Sequence, residues 1–254
     1  MIEKSMISKK AKIHKSVKIG KYSIIEKGVE IGEGTGIGNF VVIKKGTIIG
    51  RNNKIYSGVQ LGTDPQDYHF KGEYSECIIG DNNIIREYAT ISRATGKNKR
   101  TIIGNNNFIM TYVHIAHNVK IGNNTVIASG AQIAGYVEID DFAYIGGLVG
   151  IHQFCRVGKY AMLGAKSYLN KDLPPYFLAR GNRARIYGIN RQGLLRYGFN
   201  NEEIEEMKRI FRLIYKTNKN MKEIINLLKS ELHPKHSQEI IDFIKSSHRG
   251  IIGI

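Results

Sequence analysis

An aliphatic side chain recurs at every sixth residue through most of this 254-residue chain. Between Ile7 and Leu169 there are 28 positions at steps of six, and 25 of them hold Ile, Leu or Val. The three exceptions are Asp67, Glu73 and Lys97. Chance does not produce such a series, so it indicates an architecture built from short internal repeats.

One repeat of six accommodates a short strand and a corner, so three repeats close one triangular coil. Adjacent coils then pair as parallel strands about 4.8 Å apart. Glycines and asparagine pairs, such as Asn52-Asn53 and Asn82-Asn83, suit the unusual dihedrals of tight corners. The pattern resembles the left-handed hexapeptide-repeat β-helix, and the handedness follows from that resemblance alone. We therefore predict a β fold, a left-handed parallel β-helix over residues 1–175.

The three exceptions to the series predict two loops that leave the coil, at about residues 62–77 and 93–101. Loops that leave a regular solenoid are often functional. The repeat stops at Pro174-Pro175, and residues 176–254 are expected to form a connector and an α-helical C-terminal domain.

Three helices are expected in that tail. Asn200 and Glu203 match a capping box ahead of a helix to about Tyr215, and two more helices fit at about 220–232 and 236–248. The tail has modest apolar content, so we expect it to pack on the β-helix or on a neighbouring subunit.

Composition excludes several functional classes. The formal charge of +16 favours an anionic partner, unless it only reflects a basic proteome, and no RNP, KH, zinc-finger or helix-turn-helix motif predicts nucleic-acid binding. No apolar run approaches the roughly 18 residues of a membrane span, and the first residues show no apolar signal core. Cys77 and Cys155 lie in no CxxC or metal spacing, which suits a reducing compartment. We expect a cytoplasmic protein without membrane insertion.

The length of one coil, three repeats, aligns three candidate residues on successive coils. His117, Gly135 and Gln153 fall at one corner, with His114 and His152 beside them at outward positions. A histidine acts as a general base, and a glycine lets an anion approach its backbone N–H closely, as an oxyanion hole requires. Any one of the histidines taken alone would more often be an ordinary exposed side chain, so the alignment carries the prediction.

Two other chemistries compete for this cluster. Three histidines bind zinc in β-helical carbonic anhydrases, but the His-x2-His spacing with Gln153 beside His152 departs from that pattern. A cysteine nucleophile would be Cys155, which falls in an inward column and is expected to serve packing.

Four segments carry a more specific resemblance. These are HIAHN at 114–118, IHQFC at 151–155, DLPPY at 172–176 and GLLRYGF at 193–199. They resemble the UDP-N-acetylglucosamine 3-O-acyltransferases that begin lipid A synthesis, and the likeness covers essentially the whole chain. The resemblance implies a homotrimer, with sites between subunits, that moves an (R)-3-hydroxyacyl chain from acyl carrier protein to the 3-position of UDP-N-acetylglucosamine (UDP-GlcNAc). It implies neither a cofactor nor a metal.

The resemblance also implies roles for individual residues. His117 matches the general base and Gly135 the backbone donor to the oxyanion. Ala165 matches the residue that limits acyl-chain length, where glycine permits a longer chain. The positions that match substrate-binding residues are Gln66, Asp67, His114, His152 and Gln153, together with Asn190 and Arg196 from the neighbouring subunit.

Some positions depart from the family pattern. Asn118 stands where the family often has an aspartate that orients the catalytic histidine, and Tyr136 replaces a histidine that contacts the sugar. The first loop has His69 in place of a lysine, Ser92 just ahead of the second loop replaces a histidine, and Tyr197 replaces an arginine of the tail. Amine attack needs less help from a strong base, so a 3-amino analogue of UDP-GlcNAc remains an alternative acceptor.

Two further alternatives remain at this level. The N-acyltransferase later in the same pathway carries an additional N-terminal uridine-binding domain, and a repeat that begins at Ile7 argues against it. A hexapeptide-repeat scaffold without catalysis is the other.

Basic residues cluster where the β-helix meets the tail and are expected to steer acidic acyl carrier protein: Arg156, Lys159, Lys166, Lys171, Arg180, Arg183 and Arg185.

Overall fold

The computed structural model describes residues 5–231 and 234–253. Its short strands, most of two residues, are β1 (Met6–Ile7), β2 (Lys12–Ile13), β3 (Lys18–Ile19), β4 (Ile24–Ile25), β5 (Glu30–Ile31), β6 (Gly36–Ile37), β7 (Val42–Ile43), β8 (Thr47–Ile49), β9 (Lys54–Ile55), β10 (Gln60–Thr63), β11 (Glu76–Ile79), β12 (Ile84–Ile85), β13 (Thr90–Ser92), β14 (Arg100–Ile103), β15 (Phe108–Ile109), β16 (His114–Ile115), β17 (Lys120–Ile121), β18 (Val126–Ile127), β19 (Gln132–Ile133), β20 (Glu138–Ile139), β21 (Tyr144–Ile145), β22 (Gly150–Ile151), β23 (Arg156–Val157), β24 (Met162–Leu163), β25 (Tyr168–Leu169), β26 (Phe177–Arg180) and β27 (Arg185–Ile189).

Every third strand joins the same sheet, so the chain builds the three faces of a prism. Sheet A runs from β1 through β4 and every third strand to β25, sheet B from β2 to β23, and sheet C from β3 to β24 and then β26 and β27. All pairings are parallel except β26 with β27, which is antiparallel. This is the predicted left-handed parallel β-helix.

The strand register explains why the six-residue series survives both loops. Paired residues are usually three repeats apart, as in Ile7 with Ile25. Across the first loop the partners are Leu61 and Ile91, which are five repeats apart, and across the second they are Ile79 and Ile103, which are four apart. The loops therefore add the length of two repeats and of one repeat, so neither changes the phase of the series. They occupy residues 64–75 and 93–99, within the predicted spans.

The interior is lined by the predicted aliphatic column, and its members from Ile25 onward are buried. Cys155 is also fully buried, as expected for a packing residue. Burial raises the pKa of this thiol to about 12, so it is protonated and a poor nucleophile at neutral pH.

One inward column is polar. Asn53, Asn83, Asn107 and Thr125 are buried on successive coils at the corner between sheets B and C. The Asn107 Oδ1 atom accepts from both the backbone N–H and the hydroxyl of Thr125, while its Nδ2 donates to the Gly122 carbonyl. These amides satisfy one another along the helix axis, so they can be buried without a desolvation penalty.

Aromatic residues occupy corners where glycine or asparagine was expected. Tyr22, Phe40, Tyr88 and Tyr112 all have positive φ, which is costly for a bulky side chain. Their rings stack on the next coil, with centroids 5.2 Å apart in both the Tyr22–Phe40 and the Tyr88–Tyr112 pairs. Ring stacking between coils offsets part of the backbone cost.

Within residues 176–231 and 234–253, the tail forms four helices: α1 (Arg191–Arg196), α2 (Asn201–Tyr215), α3 (Met221–Glu231) and α4 (Pro234–Lys245). The capping box of Asn200 and Glu203 is formed at the start of α2, as predicted. Helix α1 was not expected, and α4 begins earlier than predicted because proline suits the first helical turn. Leu232 and His233, at the end of the predicted 220–232 helix and just beyond it, lie outside the described residues.

The tail packs on the β-helix of its own chain. Phe177 contacts Phe211 and Tyr215 of α2, and the Ile252 backbone N–H donates to the Asp172 carbonyl at 2.9 Å. Strand β26 extends sheet C past the predicted boundary at residue 175, and the hairpin of β26 and β27 closes the end of the coil. None of the described helices is long and apolar enough to span a bilayer.

The buried amide column predicts a stability effect. In Asn107→Ala, the backbone N–H and hydroxyl of Thr125 lose their acceptor inside the prism. Because each unsatisfied buried group costs about 1–3 kcal/mol, we expect a loss of about 2–4 kcal/mol in unfolding free energy. Urea unfolding followed by circular dichroism measures it. The matched control is Asn105→Ala, an exposed asparagine in the same corner, where water replaces the lost bonds. Equal losses in both variants would contradict the assignment.

Candidate active site

A cavity of about 500 Å³ lies on the outer face of sheet A, beside the first loop. Its floor is formed by outward side chains of β16, β19, β22 and β25, and its wall by the corner that follows them. The lining residues are Gln66, His114, Ala116, His117, Gln132, Ile133, Ala134, Gly135, Gly150, Ile151, His152, Gln153 and Tyr168. The cavity thus collects most of the side chains that the sequence had singled out.

His117, Gly135 and Gln153 are stacked on successive coils, as the spacing of three repeats predicted. The Tyr136 N–H donates to the His117 carbonyl, and the Phe154 N–H donates to the Gly135 carbonyl, each at 3.1 Å. A Cβ atom on residue 135 would lie 2.6 Å from Cε1 of His117 and 2.7 Å from its Nε2. Only glycine leaves room for the imidazole at this point.

The Asn118 amide fixes the hydrogen of the His117 ring. Asn118 Oδ1 accepts from the Thr95 backbone N–H at 2.9 Å, and its Nδ2 donates to the Thr95 carbonyl at 3.1 Å. This pair of bonds sets the orientation of the amide, so the atom 2.9 Å from His117 Nδ1 is an oxygen. Nδ1 must therefore carry the hydrogen, and Nε2 of the neutral ring is an unprotonated base.

His117 is 6% exposed and is enclosed by aromatic and acidic neighbours. The Tyr136 ring meets the imidazole edge to face, with centroids 5.3 Å apart, and Asp67 Oδ2 lies 3.8 Å from Nε2. Hydrogen bonding from the His69 backbone N–H to Asp67 Oδ1 holds the pKa of this carboxyl below its usual value. Asp67 is accordingly ionised at neutral pH.

His114 and His152 lie on the floor beside the stacked corner. Nδ1 of His114 is 2.7 Å from the Thr90 hydroxyl, and burial, followed by the nearby His117, lowers the pKa of His114. His114 is therefore neutral at pH 7 and provides hydrogen bonds without charge. His152 is exposed, and its Nδ1 bonds the Gln153 carbonyl at 3.0 Å.

Arg93, which the sequence analysis missed, holds the first loop in place. Its side chain is 2% exposed and donates to Asp64 Oδ1, to the Glu73 carbonyl and to the Ser75 hydroxyl. Its guanidinium also lies over the Phe70 ring at 4.7 Å. Arg93 is the first residue of the second loop, so the loop that carries Gln66 and Asp67 is anchored to the start of the second loop. Thr90, which pairs with His114, was also missed. The second loop adds one repeat, so a coil length of four repeats at this point would have placed Thr90 next to His114.

Three predicted site residues lie away from the cavity within one chain. Asn190 is buried as the N-cap of α1, where its amide donates to the Tyr160 carbonyl at 2.9 Å. Arg196 is exposed in the last turn of the same helix, which packs at the corner between sheets B and C. Ala165 is exposed at the corner that precedes β25.

A second cavity, of about 650 Å³, lies between sheet B and α4, away from these histidines. Its charges offset one another: Arg156 lies 3.6 Å from Glu138, and Lys159 lies 3.8 Å from Glu239. Among the described residues, no three His, Cys, Asp or Glu side chains are grouped as metal ligands.

Comparison with known proteins identifies the family to which this chain is similar. A model described as UDP N-acetylglucosamine O-acyltransferase, domain 2, matches residues 172–252, and the bacterial transferase hexapeptide model matches residues 10–45 and 100–135. The chain is 39% identical to the acyl-(acyl-carrier-protein)–UDP-N-acetylglucosamine O-acyltransferase of Herminiimonas arsenicoxydans, over 98% of this chain and 97% of that one. It is 42% identical to the enzyme of that name from Gloeothece citriformis, over 77% and 71%.

Solved structures agree over the whole length. The UDP-N-acetylglucosamine acyltransferase of Bacteroides fragilis superposes with a TM-score of 0.96 and 41% identity, covering 99% of each chain. The chain therefore belongs to the acyl-(acyl-carrier-protein)–UDP-N-acetylglucosamine O-acyltransferase family.

Proposed function

We propose that this protein transfers an (R)-3-hydroxyacyl chain from acyl carrier protein to the 3-oxygen of UDP-GlcNAc, the step that begins lipid A synthesis. The observation that carries the proposal is the position of His117: its Nδ1 bonds the Asn118 oxygen, and its Nε2 lies beside Gly135 in the wall of a cavity rich in polar groups. Membership of the acyltransferase family supports the same reaction.

The reaction follows from these two groups. Nε2 of His117 takes the proton as the 3-oxygen attacks the thioester carbonyl. The oxyanion forms beside the Gly135 N–H, which donates no hydrogen bond to any group in the described ranges. Collapse of the intermediate breaks the C–S bond, and His117 returns the proton to the departing sulfur. A positioned base is worth about 10²–10⁴ in rate and one oxyanion donor about 10²–10³.

The acceptor would be held by Gln66, Asp67, His114, His152 and Gln153. These side chains offer amide, imidazole and carboxylate groups that suit sugar hydroxyls and a diphosphate. Gln66, His114, His152 and Gln153 line one cavity, and Asp67 lies beside His117 at its wall, which supports that role.

Asn190 and Arg196 would contact the nucleotide of a neighbouring subunit in a homotrimer. Their distance from the cavity of their own chain fits this arrangement. An exposed apolar column on the corner between sheets C and A also favours a subunit contact, since monomers seldom expose such a stripe. Its members are Tyr22, Phe40, Tyr88, Tyr112 and Leu148, which are 44–64% exposed.

The acyl carrier would dock at a basic surface beside the cavity, which we call the hairpin patch: Lys166, Arg180, Arg183 and Arg185. The turn between β26 and β27 bonds the backbone of Tyr168, a lining residue, so the patch adjoins the cavity. Arg156 and Lys159, which belonged to the predicted basic surface, instead pair with carboxylates of the second cavity. We therefore leave them out of the docking surface. We propose a cytoplasmic location for the enzyme. Its use of a carrier protein and its two buried free cysteines both fit that compartment.

The function is tested by offering the protein UDP-GlcNAc or its 3-amino analogue with acyl carriers of several lengths, with products identified by mass. We expect O-acylation of UDP-GlcNAc by the wild type. His117→Ala should lose at least 10²-fold in kcat, because no other base faces Gly135 in the described structure, while UDP-GlcNAc binding by calorimetry persists.

His14→Ala is the matched control, since His14 is exposed in the first coil and its side chain hydrogen-bonds only Ser16 among the described residues. It should keep full activity. Unchanged turnover in His117→Ala would favour the scaffold alternative, and a product formed only from the amino sugar would favour N-acylation.

Acyl length provides a second prediction. Ala165 is exposed at the corner where the strands of sheet A begin, so an acyl chain that crosses this face would reach it. In Ala165→Gly the preferred chain should lengthen by about two carbons, since each buried CH₂ is worth about 0.8 kcal/mol. Ala165→Val should shorten it. A wild type that uses the longest chains as fast as any other would contradict this role.

Charge reversal of the hairpin patch provides a third prediction. The double change Lys166→Glu and Arg183→Glu should raise KM for the acyl carrier about 10-fold in low salt and leave kcat nearly unchanged. At about 0.5 M salt the difference should shrink because exposed charges are screened. Lys18→Glu, an exposed lysine of the first coil, is the control. A KM ratio that does not depend on salt would exclude electrostatic steering.

A further inference from the structure

The base of this site lacks an ionic partner on its Nδ1 side. His117 Nδ1 bonds an amide oxygen, which accepts a hydrogen but carries no negative charge. When Nε2 takes a proton, the ring becomes a cation while only 6% exposed. A cation formed out of water is costly unless a charge or a dipole nearby compensates it.

The first loop places one carboxylate against this ring. Asp67 Oδ2 lies 3.8 Å from Nε2, and the Asp67 side chain is itself only 14% exposed. Its other oxygen is occupied by the backbone N–H of His69 at 3.0 Å and by His69 Nδ1 at 3.1 Å, which turns Oδ2 toward His117. At this distance a carboxylate stabilises an imidazolium while the Nε2 lone pair stays accessible to a hydroxyl.

Among the described residues, the other groups that contact His117 do not supply a charge. His114, on the same face, is uncharged at neutral pH because burial lowers its pKa. The phenol ring of Tyr136 meets the imidazole edge to face and carries no negative charge. The ring is thus bracketed by a neutral amide at Nδ1 and an anion at Nε2.

We propose that Asp67 supplies the counter-charge for the His117 imidazolium, in addition to its contact with the acceptor sugar. The proposal rests on the proposed acyl transfer and deepens it. The step is the same proton transfer: the 3-hydroxyl proton moves to Nε2 as the C–O bond forms, and the ion pair of Asp67 with His117 lasts until Nε2 returns the proton to sulfur.

Asp67→Asn tests the proposal because it keeps the size and one acceptor oxygen while it removes the charge. With saturating UDP-GlcNAc, kcat should fall about 10–100-fold, and the acid-side midpoint of the kcat–pH profile should move down by about one pH unit. Asp67→Glu, which retains the charge, should keep the midpoint near that of the wild type. Gln66→Ala, in the same loop, should raise KM and leave the midpoint in place.

An NMR titration of the His117 Cε1–H resonance in the unliganded protein, assigned with His117→Gln, gives a second readout without catalysis. Its midpoint should fall in Asp67→Asn and rise in Asn118→Asp, which adds a carboxylate at Nδ1. If the kcat–pH profile and the NMR titration curve of Asp67→Asn match those of the wild type and only KM is raised, the counter-charge role is overturned. A wild type that transfers no acyl chain would instead refute the proposed function, and the NMR titration would still test the ion pair.

Discussion

The parallel pairing of each coil with the next, three repeats further along the chain, is the constraint on which the rest of the structure depends. Two-residue strands have almost no stability alone, so each coil is held by its neighbours and by the aliphatic column that they share. An insertion that shifted the phase would turn that column outward. The two loops add whole repeats, two in the first and one in the second, so the chain can leave the coil and return without loss of register.

The same constraint positions the corner of the proposed active site. His117 and Gly135 are neighbours because their coils are stacked, and the glycine is required because a Cβ atom would collide with the imidazole. The loops then reach the site from fixed points. From the second loop, Arg93 holds the first loop in place and Thr95 fixes the amide of Asn118. Coil stacking positions the proposed base and the proposed oxyanion donor, and loop contacts set the tautomer of the histidine and the charge beside it.

Much of this arrangement could be predicted from the sequence, since a strict period converts residue number into position. The stacked corner, both loops and the capping box of α2 follow from spacing alone. Side-chain contacts across the loops could not be derived, because a segment that leaves the coil has no period to place Asp67 or Arg93. The positive φ of Tyr22 and Phe40 was also out of reach, since ring stacking between coils outweighs the usual preference for glycine. Asn190 and Arg196 could be placed only by family resemblance.

The use of asparagine at position 118 has a structural reason within this chain. Its Nδ2 donates to the Thr95 carbonyl at 3.1 Å, and an aspartate in the same pose would set a carboxylate oxygen against that carbonyl. The amide therefore secures the second loop at the expense of a charge beside Nδ1. The ionised Asp67 of the first loop lies on the opposite side of the ring, next to Nε2. The positioning and the electrostatic support of one histidine are thus divided between two loops, and neither loop belongs to the repeat that builds the fold.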